Sequence, residues 1–250
     1  MVRAKEAAEA EELLPEEYLR RALRASSPSL RMDLARTGLA QPSDDLDPDT
    51  HVLLLRQVYL GHLELRQLGE AVAVADQMTA VGTLRDVALH DSARALWAMG
   101  DLQGAIEAQR LAARAAPPER RSFHLWSLAT LQHFAGDAGG ALDTLARGGR
   151  WATRDRPLLE AHAAYVRLEQ GHPVERLSEI LDALKASRAA EGYGRYLLGM
   201  IAHHMGDART AAVHLRAFLN RHASADVAQA LTLREELRRA RLVLARVESS

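Results

Sequence analysis

The sequence predicts an all-α repeat protein, and three observations support that prediction. A small residue recurs every 34 to 36 residues, at Ala71, Ala105, Ala141 and Ala211, with Arg176 in the fourth of the five places. A glycine stands five residues before four of these positions, and an aspartate follows three of those glycines. The runs before the glycines have apolar residues three and four apart, which is helical periodicity. A period between about 20 and 50 residues indicates a solenoid or array.

Each unit is predicted to be a helix–turn–helix hairpin. In the pairs Gly100–Asp101, Gly136–Asp137 and Gly206–Asp207 the glycine can close the first helix in the left-handed conformation. The aspartate can cap the second helix, and the small residue four positions later lets the two helices approach closely. Pro117 and the pair Gly148–Gly149 end second helices. Because one hairpin cannot bury both faces of its helices, the units are expected to stack.

The two ends differ from the repeats and divide the chain into three predicted regions. Residues 1–50 are expected to form an N-terminal helical cap and an acidic linker, with a helix over Ser29–Ala40. Residues 51–222 form the repeat array, and residues 223–250 form a C-terminal capping helix. That helix has one apolar stripe, at Ala230, Leu233, Leu237, Ala240, Leu244 and Val247. Its basic opposite face favours a solvated last helix, and a dimerisation helix is the alternative.

Composition excludes several functional classes. Apolar residues make up 48% of the 250, and the net charge is −1, so no general attraction to nucleic acid or to an anionic membrane is expected. The absence of cysteine excludes disulfides, thiolate metal sites and a cysteine nucleophile. The N-terminus lacks the apolar stretch of a secretion signal, and no run approaches the roughly 18 apolar residues of a membrane span. We therefore expect a cytoplasmic protein without membrane insertion.

The repeat resembles the tetratricopeptide repeat, a 34-residue helical hairpin. In Asp86–Glu119 the small residues and the proline fall at positions 8, 15, 20, 27 and 32 of that unit, as Ala93, Gly100, Ala105, Ala112 and Pro117. The resemblance covers about residues 52–222 in five units, and Leu198, Gly199, Gly206 and Ala211 carry it in the last one. It implies a right-handed α-solenoid of about five hairpins with helical caps at both ends.

The fourth unit departs most from the family pattern. Gly171 is followed by His172 instead of aspartate, and Arg176 replaces the small residue. We expect this hairpin to pack more loosely than the others.

The resemblance implies that the first helix of each unit lines a concave groove. The residues singled out at its inward positions are Arg56, His90, Arg94, Trp97, Trp126, Thr130, His133, Tyr165, Tyr196, Met200 and His203. Aromatic and arginine side chains dominate protein-binding hot spots, so this groove is predicted to capture a segment of a partner protein. Trp97, Trp126 and Tyr196 would be its apolar anchors, and Arg94 would pair with an acidic group. Phe123 and Tyr193 occupy similar positions but are expected to pack in the core.

Catalytic and ligand motifs are missing. No phosphate-binding loop, zinc motif or nucleophile elbow is present, and the groove lacks the lysine and asparagine of the family's carboxylate clamp. His203 and His204 are adjacent on a helix, so they diverge by about 100° and cannot both face one ion. We therefore predict a non-enzymatic scaffold or adaptor without metal or cofactor, and a homo-oligomer is possible. The alternatives are a regulatory repeat protein with a small ligand and an RNA-binding helical-repeat protein.

Overall fold

The computed structural model of the protein describes residues 13–41, 46–224 and 227–249. These residues contain fourteen α-helices and one short 3₁₀ helix, with no strand among them. They divide between Leu84 and Arg85 into two compact units. The all-α repeat fold that the periodicity predicts is confirmed, while the boundaries after residues 50 and 222 between the caps and the repeat array remain predictions.

The first unit has four helices in its described residues. They are α1 (Pro15–Leu23), α2 (Pro28–Leu39), α3 (Pro48–Glu64) and α4 (Leu68–Val81). Ser27 caps α2 through a hydrogen bond that its hydroxyl accepts from the backbone N–H of Leu30. Asp47, from the predicted acidic linker, caps α3 by accepting the N–H of Thr50 at 2.8 Å. Part of that linker, residues 42–45, lies outside the described residues, as do residues 1–12.

The second unit contains four hairpins followed by a C-terminal segment. Its helices are α5 (Arg85–Met99), α6 (Leu102–Ala115), α7 (Pro118–Phe134), α8 (Ala138–Gly149), α9 (Arg156–Glu169), α10 (Leu177–Ala186), α11 (Tyr193–His204), α12 (Ala208–Arg221), α13 (Val227–Thr232) and α14 (Arg234–Glu248). Within each hairpin the two helices pack on each other, and successive hairpins pack through neighbouring helices.

The predicted glycine–aspartate turns are confirmed. Gly100, Gly136 and Gly206 have φ of +89°, +87° and +78°, which is the left-handed region that suits glycine. The aspartate after each glycine accepts a hydrogen bond from the backbone N–H three residues later, at 2.8 to 3.0 Å. The alanine four residues after each aspartate is fully buried. The repeated motif is therefore a helix end, a helix start and a site of close packing.

Arg66 takes the place of this glycine in the first unit, with φ of +59° and an exposed side chain. The left-handed conformation costs a non-glycine residue about 1–2 kcal/mol, which a glycine at this position would avoid. The larger conformational entropy of glycine in the unfolded chain offsets part of that stabilisation. We therefore expect Arg66→Gly to raise the free energy of unfolding by about 1 kcal/mol, measured by urea denaturation. Gly136→Ala is the matched control and should lower it. An Arg66→Gly variant no more stable than the parent would contradict this account.

The hairpin of α9 and α10, which corresponds to the fourth sequence repeat, is the least regular of the four in the second unit. Arg176 precedes α10 with φ of +53°, and α10 buries only Leu184 completely, whereas α6 buries six residues. A 3₁₀ turn at Arg188–Glu191 then leads into α11. The looser packing expected from the missing aspartate and small residue is found here.

The C-terminal segment does more than cover the last hairpin. The predicted single capping helix is instead divided at Leu233 into α13 and α14, and its apolar stripe is buried only at Leu237 and Ala240, which lie in the core of the last hairpins together with Val243. Helix α14 packs against α11 and α12, while α13 packs against α5, at the other end of the second unit. The segment therefore runs across the first helices of several hairpins.

Candidate functional site

Ten of the eleven predicted groove residues lie in the second unit. They occupy α5, α7, α9 and α11, and we call the surface that these four helices turn toward α13 and α14 the inner face. Arg56 lies on α3, in the first unit.

Aromatic rings connect the helices of the inner face. The ring centroids of Trp126 and Tyr193 are 4.8 Å apart in an edge-to-face arrangement. Those of His133 and Tyr165 are 5.0 Å apart, and those of Tyr165 and Tyr196 are 6.0 Å apart. Contacts of this kind stabilise by more than their buried area, so they fix how α7, α9 and α11 pack.

Most of the aromatic and apolar residues predicted to line the groove are buried in this structure, including two of the three predicted anchors. Trp97 is 7% exposed and stacks on Phe134 with the ring centroids 6.1 Å apart. Tyr165 and Tyr196 are fully buried, and Met200 is nearly so. Trp126 is partly buried. Whether these side chains also contact a partner therefore depends on the C-terminal segment that covers them.

The expectation that Phe123 packs in the core is wrong. Its side chain is 42% exposed, because it lies at the edge of the inner face, with its ring 5.1 Å from that of His90. His90 itself is held by Gln109, whose Oε1 lies 2.8 Å from Nδ1. Tyr193, the other residue expected in the core, is partly buried and its hydroxyl oxygen is inaccessible to solvent.

His203 is only partly gathered into the site. It lies on α11 beside Met200, but its one described ring contact is with His204, at 5.6 Å. Thr130 and His133 are buried on α7, and Thr130 donates its hydroxyl to the carbonyl of Trp126 at 3.0 Å. These two residues are thus part of the packing beneath the inner face.

The C-terminal segment binds the α5 end of the inner face through polar contacts. The Thr232 hydroxyl accepts hydrogen bonds from Nε and Nη2 of Arg94, at 3.1 and 2.9 Å. Nη1 of Arg94 donates to the buried carboxylate of Asp91 at 3.1 Å. Arg234 donates to the backbone carbonyls of Trp97 and Ala98 at 3.2 and 3.3 Å. The arginine predicted to pair with a partner is therefore already held by the chain itself.

At the α9 end, Arg239 reaches from α14 to the inner face. It donates to Oε1 of Glu169 at 2.7 Å and to the Tyr165 hydroxyl at 3.3 Å. Its guanidinium also lies 4.8 Å above the ring of Phe134, a cation–π contact. One side chain thereby joins α14 to both α7 and α9.

Glu169 is a carboxylate that the sequence reasoning missed. Burial by itself would raise its pKa, but the hydrogen bond from His133, at 2.5 Å, and the charge of Arg239 outweigh that effect and lower the pKa to about 2. Nδ1 of His133 lies 3.1 Å from Nε2 of His162, and burial lowers the pKa of His162 to about 3. His162 is therefore neutral at pH 7. Glu169 was not predicted as a site residue because it is the last residue of α9 and follows the positions expected to face the groove.

A cavity of about 190 Å³ remains between the inner face and the C-terminal segment. Its lining includes five aromatic residues: Trp97, Phe123, Trp126, Phe134 and Tyr193. Three polar atoms at this cavity are buried without a hydrogen-bond partner, namely Nε1 of Trp126, the hydroxyl of Tyr193 and Oε2 of Glu236.

Glu236 is the least expected member of the site. It is 3% exposed, and burial raises its pKa to about 7, a rise to which the neighbouring Glu235 carboxylate adds and which the charge of Arg239 opposes. The sequence indicates this burial, because Glu236 comes three residues after Leu233 and therefore falls on the apolar stripe predicted for the C-terminal helix.

Two general features of the described residues bear on chemistry. Within residues 13–41, 46–224 and 227–249, no group of three or more His, Asp or Glu side chains is placed to hold a metal ion. No helix in this part of the chain is both long and apolar enough to cross a membrane.

Known proteins resemble this chain in structure, whereas the sequence comparisons found no match. No protein-family model matches the chain, and no curated protein matches it. A tetratricopeptide repeat protein from Parabacteroides merdae ATCC 43184 is 14% identical, with a TM-score of 0.58 over 94% of this chain and 92% of that one. The kinesin light chain TPR-like repeats of Podosopora anserina are 18% identical, with a TM-score of 0.45 over 82% and 100%. The first of these two likenesses shows that the chain has a tetratricopeptide-like repeat fold, as the spacing of its small residues predicts.

Proposed function

We propose that the protein is a non-enzymatic scaffold that binds a helical segment of a partner protein on the inner face of the second unit. The observation that supports this proposal is that the inner face already holds helices, those of the chain's own C-terminal segment. Arg94, Arg234 and Arg239 join that segment to α5, α7 and α9. A surface that accommodates one helical segment in this way is suited to another of matching chemistry.

The partner helix would bind the half of the inner face formed by α5 and α7. This half is covered by α13, a helix of six residues in which only Ala228 is buried. By contrast α14 buries Leu237, Ala240 and Val243 in the core of the last hairpins. Displacing α13 therefore costs far less than displacing α14, because less apolar area returns to water.

The chemistry of this half specifies the partner segment. Phe123 and Trp126 offer aromatic surface, and Trp97 becomes accessible when α13 leaves. Arg94 then loses its hydrogen bonds to Thr232, and a carboxylate on the partner can replace them with a stronger charge-assisted pair. The partner is thus an amphipathic helix with one apolar stripe and an acidic residue beside it.

Site-specific photo-crosslinking in the full chain tests this proposal. Benzoylphenylalanine at position 123 is expected to capture a protein from a lysate of the source organism, and the same group at Leu111 on α6 is not. Leu111 is 37% exposed, so it is a fair control for accessibility. Arg94→Gln should remove most of the adduct, whereas Arg110→Gln, the same charge change on α6, should leave it intact. The captured segment should be helical and acidic.

The proposal fails on two outcomes. Equal adducts at positions 123 and 111 would mean that capture reflects exposure and not the inner face. An adduct that survives Arg94→Gln in a chain with unchanged circular dichroism would remove the acidic pairing.

A further inference from the structure

A second cleft of the second unit is lined by arginines. It lies between α6, α7, the C-terminal end of α8 and the loop that follows α8, and its volume is about 480 Å³. Five guanidinium groups surround it, those of Arg110, Arg114, Arg121, Arg147 and Arg150, together with the indole of Trp151. No carboxylate is among its described lining residues, although the whole chain carries a net charge of −1.

Most of these positive charges are not neutralised nearby. Among the described residues only Arg110 of the five forms an ion pair, with Glu107 on the same helix. The side chains of Arg114, Arg147 and Arg150 are exposed. Like charges gathered in one cleft repel one another and raise the local potential, so the cleft attracts anions.

Arg121 and Trp151 form one side of the cleft, and their contacts hold the Arg121 guanidinium in place. Arg121 donates from Nε and Nη2 to the carbonyl of Ala116, at 3.2 and 2.7 Å, which fixes its guanidinium. That guanidinium lies 4.4 Å above the ring of Trp151. The indole is nevertheless 42% exposed, so part of its surface is open at the cleft. Trp151 therefore lies at the edge of the cationic cleft.

We propose that this cleft binds an oligophosphate, a molecule that carries two or more linked phosphate groups. Guanidinium groups bind phosphate oxygens in bidentate fashion, and several of them are needed to neutralise adjacent phosphates. Carboxylates of an acidic peptide are spread along a backbone that advances about 3.3–3.6 Å per residue, so they concentrate charge less well in one cleft. The volume lies within the range of about 300–1,000 Å³ typical of small-ligand sites.

The oligophosphate has two possible sources, a nucleotide or an inorganic chain. An exposed indole can stack on the planar base of a nucleotide, and it gives nothing to an inorganic phosphate chain. No residue of α13 or α14 lines this cleft, and it shares no described lining residue with the cavity of the inner face. The proposal therefore does not depend on the scaffold function.

Isothermal titration calorimetry on the full chain tests the proposal, with sodium tripolyphosphate and ATP as probes in the absence of divalent ions. At about 50 mM salt, where screening is weak, both should bind with dissociation constants below about 1 mM. The double variant Arg114→Gln/Arg147→Gln should weaken binding by at least about tenfold, since each arginine contributes a charge-assisted hydrogen bond. Arg24→Gln/Arg209→Gln removes the same charge from exposed sites outside the cleft and should bind normally. All four side chains are exposed, and unchanged circular dichroism checks the fold.

The two sources give different results. If ATP binds more tightly than tripolyphosphate, and Trp151→Leu removes the difference, the ligand is a nucleotide. If ATP binds no more tightly, the ligand is an inorganic oligophosphate. The proposal is overturned if neither probe binds, if the control double variant loses as much affinity as the cleft variant, or if a tetraglutamate peptide binds as tightly as tripolyphosphate.

Discussion

At pH 8, Glu236→Gln is expected to unfold at a higher urea concentration than the parent chain. Glu236 is buried at the cavity beneath the C-terminal segment, and its Oε2 makes no hydrogen bond. An ionised carboxylate in such a place carries a desolvation cost that a neutral amide of the same shape avoids. The variant should therefore remove a penalty that the wild-type chain bears at alkaline pH.

The size and direction of this effect follow from the pKa. Burial raises the pKa of Glu236 from 4.5 to about 7, so the folded chain binds a proton that the unfolded chain releases earlier. The stability from this group is fully present below pH 4.5 and is lost as the pH rises through about 7. The shift corresponds to about 3 kcal/mol as an upper value, which is the expected gain of Glu236→Gln at pH 8. Below pH 4.5 the two chains should be nearly equal.

Glu235→Gln is the matched control. Hydrogen bonding by Arg238 lowers the pKa of Glu235, so this carboxylate stabilises the chain when it is ionised. Its replacement should have no stabilising effect at pH 8. Urea denaturation at pH 4 and pH 8 separates the two cases, and a gain in Glu236→Gln that is equal at both pH values would contradict the argument.

Tyr196→Ala is expected to cost about 3–5 kcal/mol, the range for truncating a large buried aromatic side chain. Tyr196 is fully buried, and its ring lies 5.4 Å from the rings of Tyr193 and Phe218 and 6.0 Å from that of Tyr165. The truncation leaves a cavity where α9, α11 and α12 meet. We expect a lower unfolding midpoint even where no partner is present.

Tyr196→Phe distinguishes packing from polarity at this position. It removes only a buried hydroxyl that makes no hydrogen bond, so its stability should equal or exceed that of the parent chain. A Tyr196→Ala variant with normal stability would show that the side chain is not part of the core. That result would favour the sequence-based prediction that Tyr196 contacts a partner in the groove.

The local structure of the hairpins was predictable from the sequence because its causes are short-range. The left-handed glycine at Gly100, the cap from Asp101 and the close packing at Ala105 depend on residues within one turn of each other. At Arg66 and Arg176 the backbone also adopts the left-handed conformation, but the residue is arginine, so the sequence lacks the glycine that would indicate it.

The inner face was less predictable because its partners are distant in sequence. An apolar stripe shows that α14 buries one side, but not which surface covers it. The pairing of Arg239 with Glu169 and of Arg94 with Thr232 depends on the path of the C-terminal segment, which no local pattern encodes. Phe123 was misplaced for a related reason, since inward positions at the edge of a face can stay exposed.

The contacts of the C-terminal segment change how the second unit is expected to unfold. Thr232 meets Arg94 across 138 residues, and Arg234 meets Trp97 across 137. In a simple repeat array each hairpin touches only its neighbours, so the ends fray one by one. Here the first helix of the unit cannot separate without breaking contacts to its last helices, so the ends are joined as in a closed ring. We therefore expect the second unit to unfold more cooperatively than an open array while α13 stays bound to α5, and we expect the closure of this long loop to slow folding.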